Sequence, residues 1–165
     1  MALEWDRINP AELEIIRPFL RSAPVRVAGI ARALGIEVKA ATLKPRISGQ
    51  IQPSDTSPSG FRIRINRHEP SVRQRFTIAH ECAHYLLHRD QIGDGLEDTI
   101  LYRSSLSDRR EAEANRLAAD LIMPRDLVTQ SLRELGGRPT SAVAAELASK
   151  FEVSEAAMKI RLGLS

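Results

Sequence analysis

The residues with the clearest chemical potential form one short run, His80-Glu81-Cys82-Ala83-His84. Two imidazoles four residues apart sit one turn apart on the same face of a helix, so both can reach a single ion. Neutral imidazole binds zinc at about 2.0–2.1 Å, and a hydrolytic zinc site takes three protein ligands and keeps one position for water. Glu81 follows the first histidine, where its carboxylate can take a proton from that water. The pattern predicts metal-assisted hydrolysis with zinc as cofactor and Glu81 as base. It also demands a third ligand from elsewhere in the chain.

Two nearby candidates for that ligand fail. A metzincin-like site needs glycine at position 87 and a ligand at 90, but Leu87 and Asp90 stand there. His88 lies a turn beyond His84, and three ligands in line along a straight helix would span about 12 Å, too far for one ion. His88 reads instead as a helix-end residue favoured by the dipole. The next acidic segment offers Glu111 and Glu113, which point about 200° apart on a helix. Glu111 shares its face with Asn115, one turn on, which could orient a ligating carboxylate. Glu111 is therefore the expected ligand and Glu113 the fallback, the loser being a solvated helix-start acid. Cys82 has no histidine three or four residues away to serve as its base, so it reads as a small buried residue rather than a nucleophile. Tyr85, Tyr102 and Arg103 are the candidates for stabilising a developing oxyanion.

These side chains need a helix and something to hold it. Ser71-Val-Arg-Gln74 has the form of a capping box, and apolar Phe76, Ala79, Ala83, Leu86 and Leu87 recur at helical spacing, predicting a helix to about Arg89. A second helix should run from Asp108 to Met123, stopped by Pro124. Upstream, residues 61–66 alternate apolar and polar as a half-buried strand does, and residues 44–52 form a weaker strand candidate. Turn formers crowd residues 53–60, which predicts a hairpin with a long loop. The first third reads helical: Asn9 caps a helix with Pro10 at its first position, Pro18 kinks it, and Gly35 stops a helix over residues 25–34. Residues 90–107 carry no clear period and read as loop. A short helix fits residues 126–135. The tail, residues 141–162, reads as two helices joined near Glu152-Val-Ser154, a helix-turn-helix form with Ser154 as cap. The expected fold is α+β, with a small antiparallel sheet against the metal helix and further helices around it. A metallopeptidase-like part over residues 1–137 would carry the helix-turn-helix-like tail, residues 138–165, packed on it. A cleft between sheet edge and metal helix would admit an extended peptide as an added strand.

Composition removes several alternatives. With 165 residues, 42% of them apolar, the chain can bury the core of one domain. No apolar run approaches the roughly 18 residues of a membrane span. One cysteine excludes an internal disulfide framework, and the acidic start lacks the pattern of a secretory leader, so the expected location is the cytoplasm. Net charge is +3 and arginine outnumbers lysine 20 to 4. The densest basic group, Arg62, Arg64, Arg67, Arg73 and Arg75, reads as a solvated strand edge and helix start. Aromatic residues make up only 4%, too few for a base-stacking platform. The last helix offers Lys159 and Arg161 but no Asn or Gln for adenine readout, so direct DNA binding is not expected.

Two long motifs then carry a resemblance. Arg75-Phe-Thr-Ile-Ala-His-Glu-Cys-Ala-His-Tyr-Leu-Leu-His88 and Glu111-Ala-Glu-Ala-Asn-Arg-Leu-Ala-Ala-Asp-Leu-Ile-Met-Pro124 resemble the ImmA/IrrE family of metallopeptidases. Residues 61–66 and 147–154 are similar to it as well, so the likeness covers most of the chain from about residue 25. The resemblance implies zinc held by His80, His84 and Glu111, with Glu81 as the catalytic base. It implies cleavage of a helix-turn-helix transcriptional repressor. As an alternative, compact members act as toxins held by a neighbouring helix-turn-helix antitoxin.

Overall fold

A computed structural model describes residues 3–99 and 108–164. The chain opens with a short helix α1 (Leu3–Asp6) and then α2 (Pro10–Ile16). Asn9 caps α2 by accepting from the amide of Ala11. Where Pro18 removes an amide donor the helix tightens into a 3-10 segment, Arg17–Arg21, rather than continuing. Helix α3 (Val27–Ala33) ends at Gly35, whose φ of +83° suits a residue without Cβ.

Four strands follow: β1 (Glu37–Ala41), β2 (Ile47–Pro53), β3 (Phe61–Asn66) and β4 (Leu96–Thr99), in the spatial order β1-β3-β2-β4. The expected hairpin is present as β2 and β3, antiparallel, with Ile51 opposite Ile63 and Gly49 opposite Ile65. The sheet is mixed rather than antiparallel, because β1 pairs parallel to β3. Strand β4 also corrects the expectation of a loop across residues 90–107 at residues 96–99, while residues 100–107 lie outside the described residues. Its sequence, Leu-Glu-Asp-Thr, has no strand signal of its own, and pairing with β2 makes it a strand. Ser48 is an extra residue between the pairs Ile47–Thr99 and Gly49–Asp98, a bulge in β2.

The sheet is covered by α4 (Ser71–His88), which buries Ile78, Ala79, Cys82, Ala83 and Leu86 against the core that holds Ile51, Ile63 and Ile65. Its start differs from the capping-box expectation. Pro70 occupies the cap position and Ser71 is the first helical residue. Gln74 instead donates to the carbonyls of Arg67 and Glu69, tying the preceding loop to the helix. On its other side α4 packs most extensively on α5 (Asp108–Ile122), with Leu117, Leu121 and Ile122 fully buried. Helices α6 (Arg125–Glu134), α7 (Ser141–Phe151) and α8 (Glu155–Arg161) complete the chain. The α7–α8 joint turns at Glu152, with φ of 55°, and Ser154 caps α8 by accepting from Ala157. Phe151 and Met158 enter the common core, and Arg75 of α4 donates to the carbonyls of Phe151 and Glu152. Arg161 pairs with Asp120 of α5 at 3.0 Å, so this side chain faces the protein.

The N-terminal segment is fastened to α4 and α5 by polar contacts. Trp5 donates to Asp120, Glu4 receives Arg116, Arg7 reaches Glu113, and Arg89 meets both oxygens of Glu12. Among the described residues no helix is long and apolar enough to cross a membrane.

Candidate metal centre

Helix α4 presents His80 and His84 on one stripe, with ring centroids 4.6 Å apart and planes at 90°. Their Nε2 atoms lie 3.1 Å from each other. Glu111, in the first turn of α5, places one oxygen 3.2 Å from His80 Nε2 and the other 3.2 Å from His84 Nε2. Donors about 2.0 Å from a tetrahedral ion stand about 3.3 Å from one another, close to the separation of the two nitrogens and of each nitrogen from its nearer Glu111 oxygen, and one donor atom from each residue of this triangle lies within 4.8 Å of the others. Its chemistry fits too. Two imidazole nitrogens and a carboxylate converge on one buried point, where the negative charge and lone pairs call for a cation. Close packing of α4 on α5 brings the three together, because it sets residues 80 and 84 opposite residue 111.

Glu81 is fully buried beside this triangle. The strand next to it is β2, at the bulge. A Cβ on Gly49 would stand 3.7 Å from Glu81 Oε2 and only 2.5 Å from Cγ2 of Thr77, so only glycine lets β2 come this close to α4.

Glu113 is not part of the triangle. It is buried, and its Oε1 lies 2.9 Å from Nε2 of His88 while Oε2 accepts from Arg7 at 2.7 Å. The expectation of a solvated acid is therefore corrected. Burial alone would raise its pKa, but the bonds from His88 and Arg7, and the charge of Arg7, hold its carboxyl below the ordinary value. His88 ends α4 as expected, but it is fully buried and meets His84 Nδ1 to Nδ1 at 3.0 Å. Burial holds its imidazole below the ordinary value, outweighing the opposing pull of Glu113. Asn115, expected to orient Glu111, is exposed.

The remaining candidates separate as follows. Tyr85 packs edge-on against Phe61 and under the guanidinium of Arg89, 3.8 Å above its ring. Burial raises its pKa, with Arg89 opposing and Glu12 adding to the rise. Tyr102 and Arg103 lie outside the described residues. Cys82 is buried, and burial pushes its thiol up to about 12. The bonds joining Arg7, Glu113 and His88 were not signalled by the sequence, although His88 and Glu113 both lie within the two long motifs. Only the spacing of His80, His84 and His88, one stripe of α4, hinted that the third histidine would face the same way.

Comparison with known proteins adds the family. Over 107 residues the chain is 36% identical to the radiation response metalloprotease IrrE of Deinococcus deserti, covering 59% of this chain and 34% of that one. Over 101 residues it is 37% identical to the protein of the same name from Deinococcus radiodurans, covering 56% of this chain and 27% of that one. The matched part is thus about a third of these relatives or less. Residues 31–163, which include α4, α5 and all three converging donors, match the IrrE N-terminal-like domain, and the chain belongs to that family.

Proposed function

We propose that this chain is a zinc metallo-endopeptidase in which His80, His84 and Glu111 hold the metal and Glu81 is the general base. The observation that carries the reading is the convergence of His80 Nε2 and His84 Nε2, 3.1 Å apart, on the Glu111 carboxylate, one oxygen 3.2 Å from each ring, with a buried carboxylate next along the same helix. Zinc held there supplies Lewis acidity, lowering the pKa of a water toward about 7 and polarising a peptide carbonyl. Glu81 takes a proton from the attacking water and later gives it to the leaving amine. Its full burial keeps bulk water from competing for that proton. Strand β4 is the outer strand beyond Gly49, and its free edge is the proposed place for an extended peptide to add as a further strand.

The proposed substrate is a helix-turn-helix transcriptional repressor, the class that the family resemblance implies. Its test is intact-mass analysis of the helix-turn-helix protein encoded beside this gene, incubated with the chain and zinc, with Glu81→Gln as control. One new cut, absent in the control, is expected. A stable complex without a cut would overturn the repressor-protease reading and favour a toxin held by its antitoxin. A cut that persists in the control would remove Glu81 from the chemistry.

A further inference from the structure

Beyond the three donors, α4 and α5 enclose a second run of buried polar groups, closed at the surface by Arg7, that the hydrolytic chemistry does not use. It leads from His84 Nδ1 to His88 Nδ1 at 3.0 Å, from His88 Nε2 to Glu113 Oε1 at 2.9 Å, and from Glu113 Oε2 to Arg7 at 2.7 Å. His84 and His88 have no exposed surface and Glu113 is 7% exposed, so water cannot replace the bonds among these three, while Arg7 joins from the surface with its side chain 43% exposed.

The proton positions follow from the two contacts of His88. A neutral imidazole has one N–H and one lone pair. At 2.9 Å from a carboxylate that also accepts from an arginine, His88 Nε2 must be the donor, since two facing acceptors would leave a buried repulsion. His88 Nδ1 is then the lone pair, and the nitrogen facing it at 3.0 Å must carry a proton. That nitrogen is His84 Nδ1. A neutral His84 with its proton on Nδ1 has its lone pair on Nε2, the atom that faces His80 and Glu111. The opposite order would put a proton on His84 Nε2, where it would block a metal ligand.

We infer that His88 and Glu113 are positioning residues for the metal: together they hold His84 in the one tautomer that can ligate through Nε2, and Arg7 anchors the carboxylate end. This rests on the metal reading of His80, His84 and Glu111. A ligating histidine whose other nitrogen is fixed by a carboxylate is oriented before the metal arrives. Here a second histidine carries that influence across one helical turn, to a glutamate out of His84's own reach. Arg7 lies outside the matched family region, so the end of this chain of bonds is supplied by the N-terminal segment.

The test uses the full chain labelled with 15N-histidine, with and without zinc. Imidazole correlation spectra should show His88 protonated on Nε2 and His84 on Nδ1 in the zinc-loaded protein, and the same for His88 without zinc. Zinc affinity, from competition with a chromogenic chelator, should fall about 10–100-fold in His88→Phe and in Glu113→Leu. Glu113→Gln retains an acceptor for the His88 proton and should recover most of that loss. The double variant H88F/E113L should bind no more weakly than His88→Phe, because the glutamate acts only through the histidine. Wild type that binds no zinc overturns the metal reading and this inference with it. Wild type that binds zinc with His88 protonated on Nδ1 overturns the inference alone, whatever the variants do. Additive losses in the double variant do the same.

Discussion

Gly49 of β2 lies against Glu81 of α4: a Cβ built on the glycine would stand 3.7 Å from Glu81 Oε2 and would overlap the methyl of Thr77 at 2.5 Å. The carbonyl of Arg64, at 3.0 Å from the same point, is backbone and cannot swing away. The bulge at Ser48 and the missing side chain at 49 thus let the strand close over the carboxylate.

Gly49→Ala should therefore cost about 1–3 kcal/mol, as overpacking in a close-packed interior does. Denaturant unfolding measures it. Adding Thr77→Ser removes the nearest methyl and should return part of the loss, while the Arg64 carbonyl keeps the rest. An unchanged midpoint in Gly49→Ala would show that β2 and α4 do not meet this closely. Peptidase activity should drop more than stability does, because the carboxylate shares the displaced wall.

Glu81→Gln separates metal binding from proton transfer. The amide is nearly isosteric, and Glu81 is not among the three converging donors, so zinc content should stay at the wild-type level. Turnover should fall about 10²–10⁴-fold, the usual contribution of a positioned general base. Loss of zinc along with turnover would mean that Glu81 helps hold the ion, and its assignment as base would go.

Zinc should also act as a structural ligand of the native state. A group that binds only the folded chain stabilises it by about 4 kcal/mol when free ligand is a thousandfold above Kd. Thermal midpoints should rise with zinc, return after chelation, and become insensitive to zinc in Glu111→Ala. Because Glu111 bridges both imidazoles at 3.2 Å, its removal takes away one edge from each histidine. A zinc-dependent shift that survives Glu111→Ala but vanishes in Glu113→Ala would exchange the roles of the two glutamates.

Much of the site was legible because its spacing is local. His80, Glu81 and His84 lie within one turn and a half of a single helix, so position along the chain dictates position in space. The hairpin of β2 and β3 was legible for the same reason, from alternation and turn formers. What depends on distant partners was not. Strand β1 is parallel to β3, a pairing its own residues do not announce, and β4 takes strand form from β2 despite two acids in four residues. The Ser71 capping box does not form, because Pro70 takes the cap position and Gln74 turns toward the loop. His88 and Glu113 look like surface residues when each helix is considered alone. They are buried because α4 and α5 meet there and because Arg7, 106 positions before Glu113, arrives to balance the charge.

The buried thiol of Cys82 gives a prediction about alkaline pH. Burial raises its pKa from 9.0 to about 12, so at pH 8 the native protein holds almost no thiolate, and the group is enclosed as well. A chromogenic disulfide reagent should leave the native chain untouched at pH 8 and react with one thiol once denaturant is added. The linkage has a definite sign. Between pH 9 and 12 the unfolded chain has released this proton and the folded chain has kept it, so the unfolded state binds fewer protons and stability falls as pH rises. Below pH 9 both states hold the proton and the contribution of this group is constant. Cys82→Ala should flatten the decline above pH 9, at the cost of a small cavity under α4. Rapid reaction of the native thiol at pH 8 would contradict the enclosure, and with it the packing of this face of α4 on which the histidine stripe depends.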